Sequence, residues 1–213
     1  MLTFENLGLG RGDADYRETW DYQREVHAQV SAGERPGHVL YVEHSPVYTA
    51  GRRTLPEEKP FDGTPVVDVD RGGKITYHGP GQLVGYPIVR LADGMGVVDY
   101  VRKLEAAILH LLTGYGIHAD RVEGRTGVWL PSDGERPERK ICAIGVRVSK
   151  RTTMHGFALN VLSSAEAFGN IVPCGIADAG VTSIVEEQPG EWDLARVAED
   201  LTPHLRTALE FEN

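Results

Sequence analysis

Two side chains in this sequence have settings that suit covalent chemistry, a thiol and an amine. Cysteine occurs twice, at Cys142 and Cys174. Cys174 stands in IVPCGIADAG, where Pro173 restricts the approach and Gly175 frees the exit. That reads as a loop position rather than a core one. Cys142 stands in KICAIGVRV, which reads as a strand whose residues 140, 142, 144, 146 and 148 share one face. The face is Lys-Cys-Ile-Val-Val, so Cys142 reads as a small buried hydrophobe. Lys140 opens the strand, where its ordinary role is a solvated end. A thiol attacks as the thiolate, and a neighbouring cation favours that form below the usual pKa of about 8.5. The same lysine, once neutral, can take or return a proton. Cysteine plus lysine can therefore run acyl transfer without histidine, provided the two groups meet in space.

A second stretch, RGGKITYHGPGQ from Arg71 to Gln82, holds four glycines and one proline around Thr76, Tyr77 and His78. It lacks the Gly-Lys-Ser/Thr ending of a nucleotide loop and the Gly-x-Gly-x-x-Gly order of a dinucleotide fingerprint. A tight hairpin explains it as well as a site does. Glycines at both ends would let a ligand lie close against the chain.

Other classes are disfavoured. No His-x-x-x-His or Cys-x-x-Cys pair points to a metal, and no Gly-x-Ser-x-Gly elbow points to a serine hydrolase. The formal net charge of -9 argues against nucleic-acid binding. Local basic clusters at Arg52-Arg53, Arg71-Lys74 and Arg147 to Arg151 can still steer an acidic partner. No apolar run approaches the roughly 20 residues of a membrane span. MLTFENLGLGRGDADY lacks the layout of a signal peptide, so a cytoplasmic protein with unpaired thiols is expected.

The elements that must position these groups follow from periodicity. Tyr16, Trp20, His27 and Val30 predict a helix over 13–32 capped by Asp13, and Val97 to Leu111 a helix over 96–114. HVLYVE, PVYTAGRR and TPVVDVD read as β-rich. KITYH and QLVGYPIV read as a strand pair about the His78–Gly81 turn. GVWL, KICAIGVRVS and TTMHGFALNV add three strands, with PSDGERPER a polar turn. A short helix is expected at 163–168, a last strand at VTSIVEE and a closing helix at 192–211. Adjacent strands with helices at the start, middle and end predict one α+β domain over 1–213. Its central sheet would be mixed and largely antiparallel.

Together, EHSPVYTAGRR, RGGKITYHGPGQLVGYPI, KICAIGVRV, HGFALNV and VPCGIADAGVTSI resemble the lipoyl(octanoyl) transferase family across about 38–185. The resemblance implies a fold like the catalytic domain of biotin and lipoate protein ligases. It implies transfer of an octanoyl group from acyl carrier protein to a lysine of lipoyl domains, those of 2-oxo-acid dehydrogenase complexes and of the glycine cleavage H protein. It makes Cys174 the acyl-thioester nucleophile and Lys140 the residue that lowers its pKa. Arg71, Gly72, Gly73, Lys74, Ile75, Thr76, Tyr77 and His78 would line the acyl pocket. So would Ala143, Ile144, Gly145, Gly156, Phe157 and Ala158. No cofactor or metal is implied, and a monomer is expected. Arg52, Arg53, Arg71 and Lys74 are the docking candidates for acidic protein substrates. Cys142 departs from the family pattern, which makes it a rival nucleophile or an oxidation partner of Cys174. An ATP-dependent ligase and a non-catalytic acyl-binding module remain the alternatives.

Overall fold

The structure is a computed structural model, and it describes residues 1–60, 63–169, 171 and 179–211. In chain order the elements are β1 (Thr3–Asn6), α1 (Tyr16–Ala32), β2 (His38–Val42), β3 (Val47–Ala50), β4 (Val66–Asp68), β5 (Ile75–His78) and β6 (Gln82–Ile88). There follow α2 (Val97–Gly114), β7 (Asp120–Val122), β8 (Arg125–Leu130), β9 (Arg139–Ser149) and β10 (Thr152–Asn160). The chain closes with β11 (Gly180–Val181), α3 (Ile184–Glu187) and α4 (Leu194–Leu209).

The main sheet runs β1-β2-β6-β10-β9-β8-β7, with β11 paired to β9. Every pairing along it is antiparallel except β1 with β2 and β11 with β9. Strand alternation sorts the core into two layers. Val39 and Tyr41 join Leu83, Leu159 and the stripes Leu104, Ile108, Leu201 and Leu205 of α2 and α4. Leu40 and Val42 join Val84, Ile88 and the α1 residues Trp20, Val26 and Val30 on the other face. Covered on both faces, β2 and β6 are buried along their whole length. A smaller sheet, β4-β3-β5, packs beside the α1 layer through Val47 and Val67.

Four expectations are corrected or narrowed. KITYH and QLVGYPIV are not partners: β5 pairs with β3, and β6 with β2 and β10. The turn after His78 carries the chain between sheets, pinned where Gly81 N donates to buried Glu43 at 2.8 Å. VTSIVEE is strand only as far as Val181. From Ile184 it is helical, because Glu187 turns back to accept from the Thr182 hydroxyl at 2.6 Å and to clasp Arg139. The cap of α1 is Asp15, whose carboxylate accepts from Glu18 N, rather than Asp13. The short helix near 163–168 is a 3-10 turn at Ala165–Phe168.

Candidate active site

The face shared by Lys140 and Cys142 is broken by a bulge. Trp129 pairs with Lys140 and Val128 with Cys142, so one extra residue, Ile141, sits between the two pairs on β9. Ile141 and Cys142 both pack into the α2–α4 core. Lys140 instead turns to the cavity described below, with Nζ 4.5 Å from the Trp129 ring centroid. Burial in apolar surroundings pushes the Cys142 thiol far up, which suits an inert packing residue and not a nucleophile. Cys174 lies outside the described residues. The chain on its far side is ordered by β9, where Gly180 pairs with Arg139, Val181 with Lys140, and Thr182 N donates to Lys140 O at 3.0 Å.

A cavity of about 470 Å³ opens beside Lys140. Twelve of the fourteen expected pocket residues line it: Arg71, Gly72, Gly73, Lys74, Thr76, His78, Ala143, Ile144, Gly145, Gly156, Phe157 and Ala158. Ile75 and Tyr77 do not, because alternation turns them to the opposite side of β5, against Tyr48 and Phe168. Apolar walls come from Val84, Val97, Val98, Val101 and Val146. The charged side chains among the described lining residues are Arg53, Arg71, Lys74, Arg102, Arg125 and Lys140, with no carboxylate. Of the docking candidates, Arg52 and Arg53 are exposed, Arg71 is buried, and Lys74 is paired with Glu58.

A line of hydrogen bonds crosses the site. Arg71 Nη2 donates to Thr49 Oγ1 at 2.8 Å, and Thr49 Oγ1 donates to His78 Nε2 at 3.3 Å. His78 Nδ1 donates to Gln82 Oε1 at 2.8 Å, Gln82 Nε2 to Asn160 Oδ1 at 2.9 Å, and Asn160 Nδ2 to Thr182 O at 3.0 Å. Every donor points the same way, which assigns the neutral Nδ1–H tautomer to His78. Burial, the nearby His44 and the Arg71 charge hold His78 neutral, with a pKa lowered to about 3. His44 donates to Ala14 O and accepts from the Tyr86 hydroxyl at 2.8 Å; burial lowers it to about 4. The Tyr16 ring stacks on His78 at 5.8 Å between centroids. Burial pushes its phenol up to about 12.

His155 forms the floor. Its Nε2 donates to Asp70 Oδ1 at 2.7 Å, and Arg147 holds the other oxygen of Asp70. Its φ of 59° is left-handed, a conformation that non-glycine residues adopt at a cost and that concentrates at functional sites. Its buried Nδ1 has no hydrogen-bond partner among the described residues. Tyr16, Tyr86 and the Asp70–His155 pair escaped the sequence reading. Tyr16 looked like one more residue of a helix stripe, and nothing in spacing joins 70 to 155. Only the His-Gly pair at 155–156 was a visible signal.

The chain matches the lipoyl protein ligase A/B catalytic domain family over residues 15–206. It is 58% identical to an octanoyltransferase of Cutibacterium acnes, over 99% of this chain and 81% of that protein. It is 52% identical to an octanoyltransferase of Leifsonia xyli subsp. xyli, over 100% of this chain and 93% of that one. Among solved structures, a bi-partite lipoate protein ligase from Thermoplasma acidophilum superposes with TM-score 0.75 at 15% identity, over 99% of this chain and 84% of its own. A lipoate-protein ligase A bound with ATP gives TM-score 0.74 at 16% identity, over 98% and 84%. At such identities these two likenesses speak to the fold alone.

Proposed function

Because the chain belongs to the octanoyltransferase family, and so is an acyltransferase on the lipoyl protein ligase A/B fold, we propose a two-step octanoyl transfer through Cys174. The donor is octanoyl-acyl carrier protein. The acceptor is a specific lysine of a lipoyl domain, as in 2-oxo-acid dehydrogenase complexes and the glycine cleavage H protein. The observation that carries this reading is the pairing of Val181 with Lys140: seven residues after Cys174, the chain lies against the lysine at the cavity.

In the first step the Cys174 thiolate attacks the thioester carbonyl, the carbon–sulfur bond to the carrier breaks, and the carrier thiol leaves with a proton from Lys140. In the second, the acceptor amine attacks the acyl-cysteine. An amide forms, and Cys174 is released as the thiolate. Lys140 takes the proton shed by the amine. Thioester exchange is nearly balanced, so amide formation drives the sequence. Neither ATP nor a metal has a part in it. The apolar walls around Val84, Ala143, Phe157 and Ala158 hold the chain, and the strand Arg71–His78 forms one side. Exposed Arg53 at the mouth favours an acidic carrier, so added salt raises KM for the carrier-borne donor more than for a small octanoyl thioester. An equal response of both donors would remove Arg53 from docking.

Intact mass after mixing with octanoyl-acyl carrier protein tests the chemistry. One added octanoyl group is expected in the wild type and in Cys142→Ala, and none in Cys174→Ala. An adduct that survives Cys174→Ala and disappears in Cys142→Ala would reverse the assignment. No adduct at all, with lipoate attachment dependent on ATP and indifferent to Cys174→Ser, would point to a ligase. Retention of octanoate without any adduct or transfer would point to a binding module.

A further inference from the structure

Strand β8 leaves β9 part-way. The two pair at Leu130 with Arg139, Trp129 with Lys140 and Val128 with Cys142, and there the ladder ends. The next backbone donor, Gly127 N, turns to a side chain instead. It donates to Oε1 of Glu105, on α2, at 3.1 Å. Glu105 is fully buried, and its other oxygen accepts from Arg102 at 2.6 Å and Arg121 at 3.0 Å. Gly127 has a φ of 118°, and a Cβ there would stand 2.5 Å from Cys142 O. The chain just before it, Gly124 to Thr126, and the edge of β9 that β8 leaves uncovered, Ala143 to Val146, both line the cavity.

We propose that Glu105 is a specificity-determining positioning residue, which keeps β8 off β9 and so sets how long an acyl chain the cavity admits. A backbone N–H inside a protein must find an acceptor. Glu105 supplies one from the helix side, while on the other side Gly127 stands against the backbone of β9 at Cys142 O. Without Glu105 the ladder extends past Val128 and the gap between Thr126 and Ile144 narrows. A carboxylate is an expensive group to bury, even when paired. It interrupts the stripe of Leu104, Ile108 and Leu111, where an apolar side chain would pack without that cost. The gap it holds open is the return.

The inference rests on the octanoyl reading above, and its test separates the two. Acylation is followed with butanoyl, hexanoyl and octanoyl thioesters of a small thiol. Glu105→Met removes the acceptor at similar volume, and Glu105→Gln retains an oxygen acceptor. In Glu105→Met the octanoyl-to-butanoyl ratio of kcat/KM is expected to fall by about tenfold or more, since each misfitted methylene can cost that much. In Glu105→Gln it stays closer to wild type. An equal loss across all chain lengths would make Glu105 a structural residue only and overturn the proposal. If Glu105→Met does not fold, Glu105→Asp, which retracts the carboxylate by one methylene, is read in the same way. If the wild type forms no octanoyl adduct, the functional reading fails. The binding ratio of octanoate to butanoate then still judges Glu105.

Discussion

Lys140 and Trp129 are cross-strand partners, and the amine lies 4.5 Å from the indole centroid. A cation over an indole face is attracted by the ring quadrupole, and the bulge at Ile141 aims the amine at the cavity rather than the core. Trp129→Leu is expected to destabilise the fold by about 2–4 kcal/mol, as large-to-small changes in a core do. It should also slow acylation by loosening Lys140. Trp129→Phe keeps a ring face and should retain more activity than its lost stability alone would allow. Urea unfolding beside acylation rates checks this. Equal activity in the two variants at matched fraction folded would show that the ring does not orient the lysine.

Acid should weaken the fold through its buried histidines. His44 and His78 are held neutral, at about 4 and about 3, against an unfolded value of 6.5. Below pH 6.5 the unfolded chain takes up protons that the folded chain refuses. Stability is therefore full above 6.5 and falls as pH falls toward 4, by up to about 1.4 kcal/mol per pH unit for each histidine. Burial lowers His38 and His155 as well, so all four histidines contribute to the slope below pH 6.5. His44→Gln should lower overall stability yet flatten that slope by less than half, because three other lowered histidines share it. An unchanged slope would mean that His44 titrates normally in the folded protein.

The hydrogen-bond line from Arg71 to Thr182 joins the cavity wall to the chain beside Lys140. If it acts as one unit, Gln82→Leu and Asn160→Leu should each lower the acylation rate with little change in KM for a small octanoyl thioester. The double variant should be little worse than either single one, because contacting residues in one network are not additive. Additive losses would show two independent packing effects.

The fold was readable where one element's own pattern decides its state. The stripe from Val97 to Leu111 and the alternations in HVLYV and TTMHGFALN each became the expected helix or strands. Pairing was less readable. KITYH and QLVGYPIV looked like neighbours because only Gly79, Pro80 and Gly81 separate them, yet β3 and β2 take them into different sheets. The bulge at Ile141 was invisible, since it arises from the register with β8. It decided which of Lys140 and Cys142 faces the cavity. VTSIVEE misled because its β-branched residues suit a strand, whereas the ion pair of Glu187 with Arg139 bends it into a helical turn. The site was legible as blocks of residues. The part of its lining made by Tyr16, Tyr86 and His155 depends on contacts distant in sequence.

The first strand is fastened by the last helix. Leu2 N donates to the Glu210 carboxylate at 2.7 Å, and Arg206 donates to Leu2 O at 2.9 Å. Among the described residues β1 has a strand partner on one edge, β2, and α4 supplies core to the layer beneath it. During synthesis β1 must therefore wait for α4, which is made well after it. A nascent chain lacking α4 has an unfastened opening strand and a bare apolar face on the main sheet. Stop codons that remove α4 should leave a product prone to aggregation and proteolysis, even though every residue lining the cavity has already been made.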